Sequence, residues 1–240
     1  MDTMTVTQAR EVDLADTTLR VVNDLLQGRP AQGLKPLEEG EPVVVRNARG
    51  AHAVAVGMDH TRQVTIEGSV GYYAAAMNKQ AEVTIQGSAG VGVAENIISG
   101  VVRVVGNASQ SAAATGNGGL LVIEGDAGAR CGISMKGVDI VVGGSIGHMS
   151  AFMAQAGRLV VRGDAGDALG DSIYETRIYV RGSVASLGAD CTAKEMRPEH
   201  IEELRQLLER AGYDDDPSEY TRYGSARKLY NFHIDNHSAY

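Results

Sequence analysis

A glycine recurs every 19 residues through the middle of this chain, at Gly68, Gly87, Gly106, Gly125, Gly144, Gly163 and Gly182. Four residues before each stands Val64, Val83, Val102, Leu121, Ile140, Leu159 or Ile178, and two before each Ile66, Ile85, Val104, Ile123, Val142, Val161 or Val180. The next residue is always short and polar (Ser69, Ser88, Asn107, Asp126, Ser145, Asp164, Ser183), and an apolar one follows it. A fixed period of this length means stacked units, each burying the face of its neighbour. Apolar positions two apart lie on one side of a strand. The residue between them (Thr65, Thr84, Arg103, Val122, Val141, Val160 or Tyr179) points away and is freer. Glycine followed by Ser, Asn or Asp reads as a sharp corner, with glycine supplying a positive φ and the polar side chain bonding nearby backbone.

Few solenoids fit. Leucine-rich repeats run about 20–29 residues with an Asn/Cys ladder, and propeller blades need about 40. A period of 19 is not a multiple of six, which removes the hexapeptide helix. The expectation is an all-β chain, a right-handed parallel β-helix of seven regular 19-residue coils with an imperfect leading coil around Pro42–Val45 and Ala53–Gly57. Strands stacked at roughly 4.8 Å make a rod of about 30 Å. Glycine reaches 30 residues while Phe and Tyr together number 11 and Trp is absent, so the core is built from Val, Ile, Leu and Ala. Cys131 and Cys191 lie three coils apart, about 14 Å by the same spacing, too far for a disulfide.

The ends depart from the lattice and set the expected organisation: an N-terminal segment with a capping helix over 1–41, the β-helix over 42–196, and a C-terminal helix and aromatic tail over 197–240. A helix is expected over 14–27, capped by Asp13 or Asp16 and stopped by Gly28. A second runs from Pro198 to Ala211, with Leu204, Leu207 and Leu208 on one face and Gly212 ending it. The tail holds Tyr213, Tyr220, Tyr223, Tyr230, Phe232 and Tyr240, interleaved with Arg222, Arg227, Lys228, His233 and His237. It either folds back along the rod or forms an arm on another subunit, where Tyr and Arg are favoured contacts.

Chemistry is hard to find. Gly143-Gly144-Ser145-Ile146-Gly147 lacks the Gly-Lys-Ser/Thr ending of a phosphate loop, and Gly90-Val91-Gly92 lacks the third glycine of a dinucleotide fingerprint. Asp126 and Asp164 occupy the corner column, and the six histidines show no metal-ligand spacing. No catalytic, cofactor-binding or metal residue is therefore expected. The charged breaks in the second half of the coils are Lys79, Glu95, Arg130, Lys136, His148, Asp167, Asp171 and Asp190. Of these, Lys79, Arg130, Lys136 and His148 are candidate interface residues, together with Tyr220, Tyr223, Arg227, Lys228, Tyr230 and Phe232 in the tail. A net charge of −8 speaks against a nucleic-acid partner. With no long apolar stretch and an acidic start lacking signal-peptide regions, the expected location is the cytoplasm, away from membranes.

Several segments carry a resemblance: Gly50-Ala51-His52, Glu67-Gly68-Ser69-Val70-Gly71-Tyr72-Tyr73, Ser134-Met135-Lys136-Gly137 and the recurring Val-x-Val-x-Gly-Asp/Ser-Ala-Gly. Together they resemble the C-terminal GXGXG domain of the glutamate synthase large subunit, over about residues 12–195. A related β-helix occurs in the C subunit of formylmethanofuran dehydrogenase. The tail, with Met196–His200 and Tyr223–Phe232, is most similar to the free-standing version of the domain found in N-methylglutamate synthase and similar complexes. The resemblance implies a hetero-oligomer in which a glutamine-amidotransferase-like subunit and an FMN-binding, glutamate-synthase-like subunit do the chemistry. Such a complex converts methylamine and glutamate to N-methylglutamate and ammonia. This chain would be its non-catalytic scaffold, with FMN held by a partner. Left open are a true glutamate synthase or other amido-transfer enzyme, and a β-helix with its own groove active site, for which Asp167, Asp171 and Asp190 are the weak candidates.

Overall fold

The computed structural model describes residues 9–227 and shows a right-handed parallel β-solenoid of about seven coils. Its strands are β1 (Arg10–Asp13), β2 (Val43–Arg46), β3 (Gln63–Ile66), β4 (Glu82–Ile85), β5 (Val101–Val104), β6 (Leu120–Ile123), β7 (Lys136–Val142), β8 (Ala156–Val161), β9 (Arg177–Val180), β10 (Cys191–Lys194) and β11 (Thr221–Ser225). One sheet contains them all, in the order β1 to β9, then β11, then β10. From β3 to β9 each strand pairs in parallel with the next in the 19-residue register, Val64 on Val83 and Val83 on Val102. The leading coil is longer: Val43 pairs with Val64. A second column of bridges runs Val70, Ala89, Ala108, Ala127, Ile146, Ala165, Val184 along the wall after the corner. The apolar columns on both walls point inward and are buried.

The corner works differently from expectation. Gly68 has a positive φ of +88°, but the other six repeat glycines lie outside the left-handed region. They are glycine because the coil below leaves no room. A Cβ on Gly87 would stand 2.5 Å from the Gly68 carbonyl carbon, and one on Gly163 would stand 2.6 Å from Ser145 Oγ. The polar residue bonds the next coil rather than its own turn. Ser69 Oγ accepts from the Ser88 N–H at 3.1 Å, Ser88 Oγ from Asn107 at 3.1 Å, and Asn107 Oδ1 from Asp126 at 2.8 Å. Asp126 Oδ1 accepts from Ser145 at 2.7 Å, Ser145 Oγ from Asp164 at 3.0 Å, and Asp164 Oδ1 from Ser183 at 2.7 Å. Glycine and its polar neighbour are thus one device. The absent side chain makes space for the oxygen below, and that oxygen satisfies the backbone above.

Past the corner, each coil passes through a segment where alternate residues adopt positive φ: Tyr73 (59°), Ala75 (51°) and Met77 (55°) in one coil, Gly92, Ala94 and Asn96 in the next. Left-handed backbone costs roughly 1–2 kcal/mol at each non-glycine residue. Hydrogen bonds to both neighbouring coils oppose that cost. Tyr73 donates to Val91 O at 2.9 Å, Ala75 to Val54 O at 2.9 Å and Met77 to Glu95 O at 2.7 Å, alternately to the following and the preceding coil.

Helix α1 (Leu19–Leu26) closes the first end, burying Val22, Leu25 and Leu26. Thr18 is its N-cap, while Asp13 Oδ1 accepts from Ala15 N–H ahead of the helix, so neither expected aspartate serves. Asn23 and Gln27 reach from it to Ala53 O and Val56 O of the leading coil. Helix α2 (Pro198–Ala211) has the expected limits, with Gly212 left-handed at its end. It lies along the outer face of the sheet, where Leu204, Leu207, Leu208 and Ala211 form a second core with Leu120, Val122, Val141, Val160 and Tyr179. The outward strand column is therefore not free in the later coils, because a helix covers it. Tyr213 and Tyr220 pack there too, and β11 then turns back antiparallel between β9 and β10. At least this part of the tail folds back on the rod.

Polar ties pin α2 and the loop behind it. Asp139 takes a two-pronged bond from Arg158 at 2.6 and 2.5 Å and a further one from Arg210 of α2 at 3.4 Å, and Tyr179 donates to Glu203 at 2.6 Å. Asp215 accepts from Arg162 at 2.5 and 2.8 Å and from the Tyr220 hydroxyl at 2.7 Å. The Arg162 hydrogen bonds hold the Asp215 carboxyl well below its ordinary range, at about 2. Among the described residues no helix is long and apolar enough to cross a membrane.

Candidate functional site

With the sheet face of the later coils under α2, the segment after each corner forms the open side wall of the rod. Most of the exposed large apolar side chains stand there: Tyr72, Tyr73, Met77, Ile98, Met153 and Tyr174. Their placement follows from the lattice. Met77 and Met153 share one column and Ile98 and Tyr174 another. At one end of the wall His52 stacks on Tyr72 with ring centroids 4.6 Å apart, and His52 Nδ1 accepts from the Tyr72 N–H at 2.9 Å. Tyr72 (51% exposed) and Met77 (49% exposed) keep about half their surface in water. Met77 and Met153 are separated in their column by Asn96, Thr115 and Ser134.

Lys79, Arg130, Lys136 and His148 are all exposed on or beside this wall. They do not converge. Lys79 and Lys136 occupy one column three coils apart, and Arg130 and His148 meet only through a backbone bond, Arg130 N–H to His148 O at 2.9 Å. In the tail, Tyr223 packs partly into the main core and Arg227 pairs with Glu175 at 3.2 Å. Tyr220 is taken up by the chain itself, buried against α2 with its hydroxyl on Asp215. Lys228, Tyr230 and Phe232 lie outside the described residues. The three aspartates of a groove active site are each engaged: Asp167 with Ser186 Oγ, Asp171 with Ser172 Oγ and the Ala189 N–H, Asp190 with Ser225 Oγ. No group of three or more His, Cys, Asp or Glu side chains that could hold a metal occurs among the described residues. Cys131 and Cys191 are buried and unbonded as expected, and burial raises both thiols, to about 12 and about 11.

A second feature lies at the far end, where β9, β11, β10 and the first turn of α2 meet around a cleft of about 380 Å³. Arg177, Lys194, Arg197, Arg222 and Arg227 line it with a single carboxylate, Glu175. His200 lies in its wall, its Nδ1 accepting from the Arg197 N–H at 3.2 Å. Burial, then Arg222, lowers the His200 pKa.

Protein GlxC of Rhizobium meliloti (strain 1021) is 61% identical to this chain over 230 residues, which cover 95% of this chain and 99% of that protein. The chain belongs to the GlxC family. No protein-family model matches it, and no solved structure does. Since the identity spans nearly the whole length, the shared part takes in almost all of the rod.

Two features of this GlxC-family chain escaped the sequence. The cleft's cations are spread from position 177 to 227 and share no spacing, because an antiparallel strand inserted between two others brings them together. Their only signal was the crowding of Arg and Lys towards the end of an acidic chain. The apolar wall was hidden because its residues fall in columns that also hold Lys, Asn, Thr and Ser.

Proposed function

We propose that this GlxC-family chain is the non-catalytic scaffold subunit of a cytoplasmic, FMN-dependent, glutamate-synthase-like complex, most specifically N-methylglutamate synthase. In this reading it holds a glutamine-amidotransferase-like subunit against an FMN-binding subunit and carries no cofactor itself. The observation that supports it is the side wall: a rigid, hydrogen-bonded face with exposed Tyr72, Tyr73, Met77, Ile98 and Met153 beside a chain whose singled-out aspartates are committed to its own bonds. Rigid elements hold partners at fixed separation better than loops do. The identity of those partners comes from the resemblance of Glu67–Tyr73 and the repeated corner to the GXGXG domain.

The test is purification of the tagged chain from its own cells, with identification of its companions and assay of the assembly. The expected companions are an amidotransferase-like and a flavin-containing chain, in an assembly forming N-methylglutamate from methylamine and glutamate. Turnover of 2-oxoglutarate and glutamine instead would move the reading to a true glutamate synthase. Recovery of the chain free of either companion would refute it.

A further inference from the structure

We propose that the cleft between β9, β11, β10 and the start of α2 is a binding site for a small dianion, a phosphate or a short dicarboxylate. Among the described residues five cationic side chains face one carboxylate there, in a protein whose net charge is −8. The chain's own acids neutralise part of the cluster. Arg227 pairs with Glu175 at 3.2 Å, Arg177 with Glu203 at 3.1 Å and Arg197 with Glu195 at 3.2 Å. Arg222 and Lys194 are left over. They are register partners on β11 and β10, and neither has a carboxylate within salt-bridge distance among the described residues; Arg222 Nε donates only to Glu195 O, at 3.0 Å. Burial lowers the Arg222 pKa, with Arg197 and Arg177 adding to the shift and Tyr179 and Glu195 opposing it.

A second, independent observation points the same way. Thr176, 2% exposed, lines the cleft, and its hydroxyl oxygen is buried without a hydrogen-bond partner among the described residues. Buried polar atoms are nearly always paired, so an orphan beside a cationic cleft marks a place where a ligand or its water completes the bonding. The first turn of α2 also lies in the wall and brings the positive end of a 14-residue helix to it, although the His200 and Ile201 N–H groups are themselves bonded to Arg197 O.

Charge and size select the ligand. Guanidinium forks match the paired oxygens of carboxylate and phosphate, and two left-over cations match two negative charges better than one. A cleft of about 380 Å³ is at the small end of ligand sites, which run to about 1,000 Å³. Among the described residues its wall carries Tyr174 and His200 as ring side chains and is otherwise polar, so it offers little to a large apolar ligand.

The test is calorimetric titration of the full chain at low ionic strength with inorganic phosphate and, separately, glutarate, against acetate as the monoanion. At least one dianion should bind at one per chain and about tenfold or more tighter than acetate. Binding of phosphate alone, or of glutarate alone, supports the site and identifies its source. Arg222→Gln and Lys194→Gln should each weaken it about tenfold, while Arg130→Gln, which removes an exposed charge on the side wall, should change it less than about twofold. If Arg222→Gln disturbs β11, Lys194→Gln decides, since its ammonium holds no ion pair among the described residues. Two results overturn the proposal: neither dianion binding more tightly than acetate, or Arg130→Gln weakening binding as much as Lys194→Gln.

Discussion

Replacing Gly163 by alanine should destabilise the rod by about 2–3 kcal/mol, while the same change at Gly68 should cost only about 1 kcal/mol. The two positions are equivalent in the repeat and differ in what lies beneath them. A Cβ on Gly163 would stand 2.6 Å from Ser145 Oγ and 2.7 Å from both the carbonyl carbon and oxygen of Gly144. The serine could swing aside, but the Gly144 backbone is held in the coil ladder by the Gly163 N–H at 2.9 Å and cannot. At Gly68 nothing lies within 4 Å, and the penalty is only that of an alanine at φ +88°. Chemical denaturation followed by far-UV circular dichroism suits a chain with no Trp. Stacked coils can lose cooperativity, so the transition slopes should be compared along with the midpoints. If Gly68→Ala cost as much as Gly163→Ala, or Gly163→Ala were neutral, the corner glycines would be serving backbone conformation and the stacking explanation would fail.

Leu208→Ala should cost about 2–4 kcal/mol by opening the second core over Val141, Val160 and Tyr179, measured by the same denaturation. The Asp215 carboxyl, depressed to about 2 by Arg162, stabilises the folded chain above its ordinary pKa near 3.8 and loses that contribution as pH falls through about 2. The stability advantage of the wild type over Asp215→Asn should therefore shrink from pH 5 to pH 2, by on the order of 1–2 kcal/mol; an advantage that is constant over this range would count against the ion pair. Both thiols should resist Ellman's reagent in the native chain and react when it is unfolded, since Cys131 is fully buried and Cys191 nearly so. Met77→Asp with Met153→Asp should leave the unfolding midpoint nearly unchanged yet abolish co-purification of companions, whereas retained companions would clear the side wall of a docking role.

The solenoid was legible because its signal repeats: seven copies of one strand and corner average out local ambiguity, and α2 announced both its ends with Pro198 and Gly212. What the repeat could not show was the role of each column. Glycine suits a left-handed turn and a crowded contact equally, and only the stacked coils reveal that six of the seven corners are of the crowded kind. The outward residues Val122, Val141, Val160 and Tyr179 turn apolar in the later coils, a hint of the covering helix that was visible but unused. Strand β1 was missed because Arg10–Asp13 is four residues long and carries one buried apolar residue, Val12; pairing with β2 makes it a strand. The alternating left-handed wall left no trace, since Tyr, Met, Asn and Ala rarely adopt that conformation and do so here only within a hydrogen-bonded stack.

The decisive measurement for a scaffold role is the partition of flavin and activity between this chain and its companions. The chain purified alone should show no flavin absorbance near 450 nm and no turnover, and adding it back to the separated flavin and amidotransferase-like subunits should restore the assembly and its N-methylglutamate formation. Flavin held by the chain alone, or full activity of the other subunits without it, would contradict a non-catalytic scaffold.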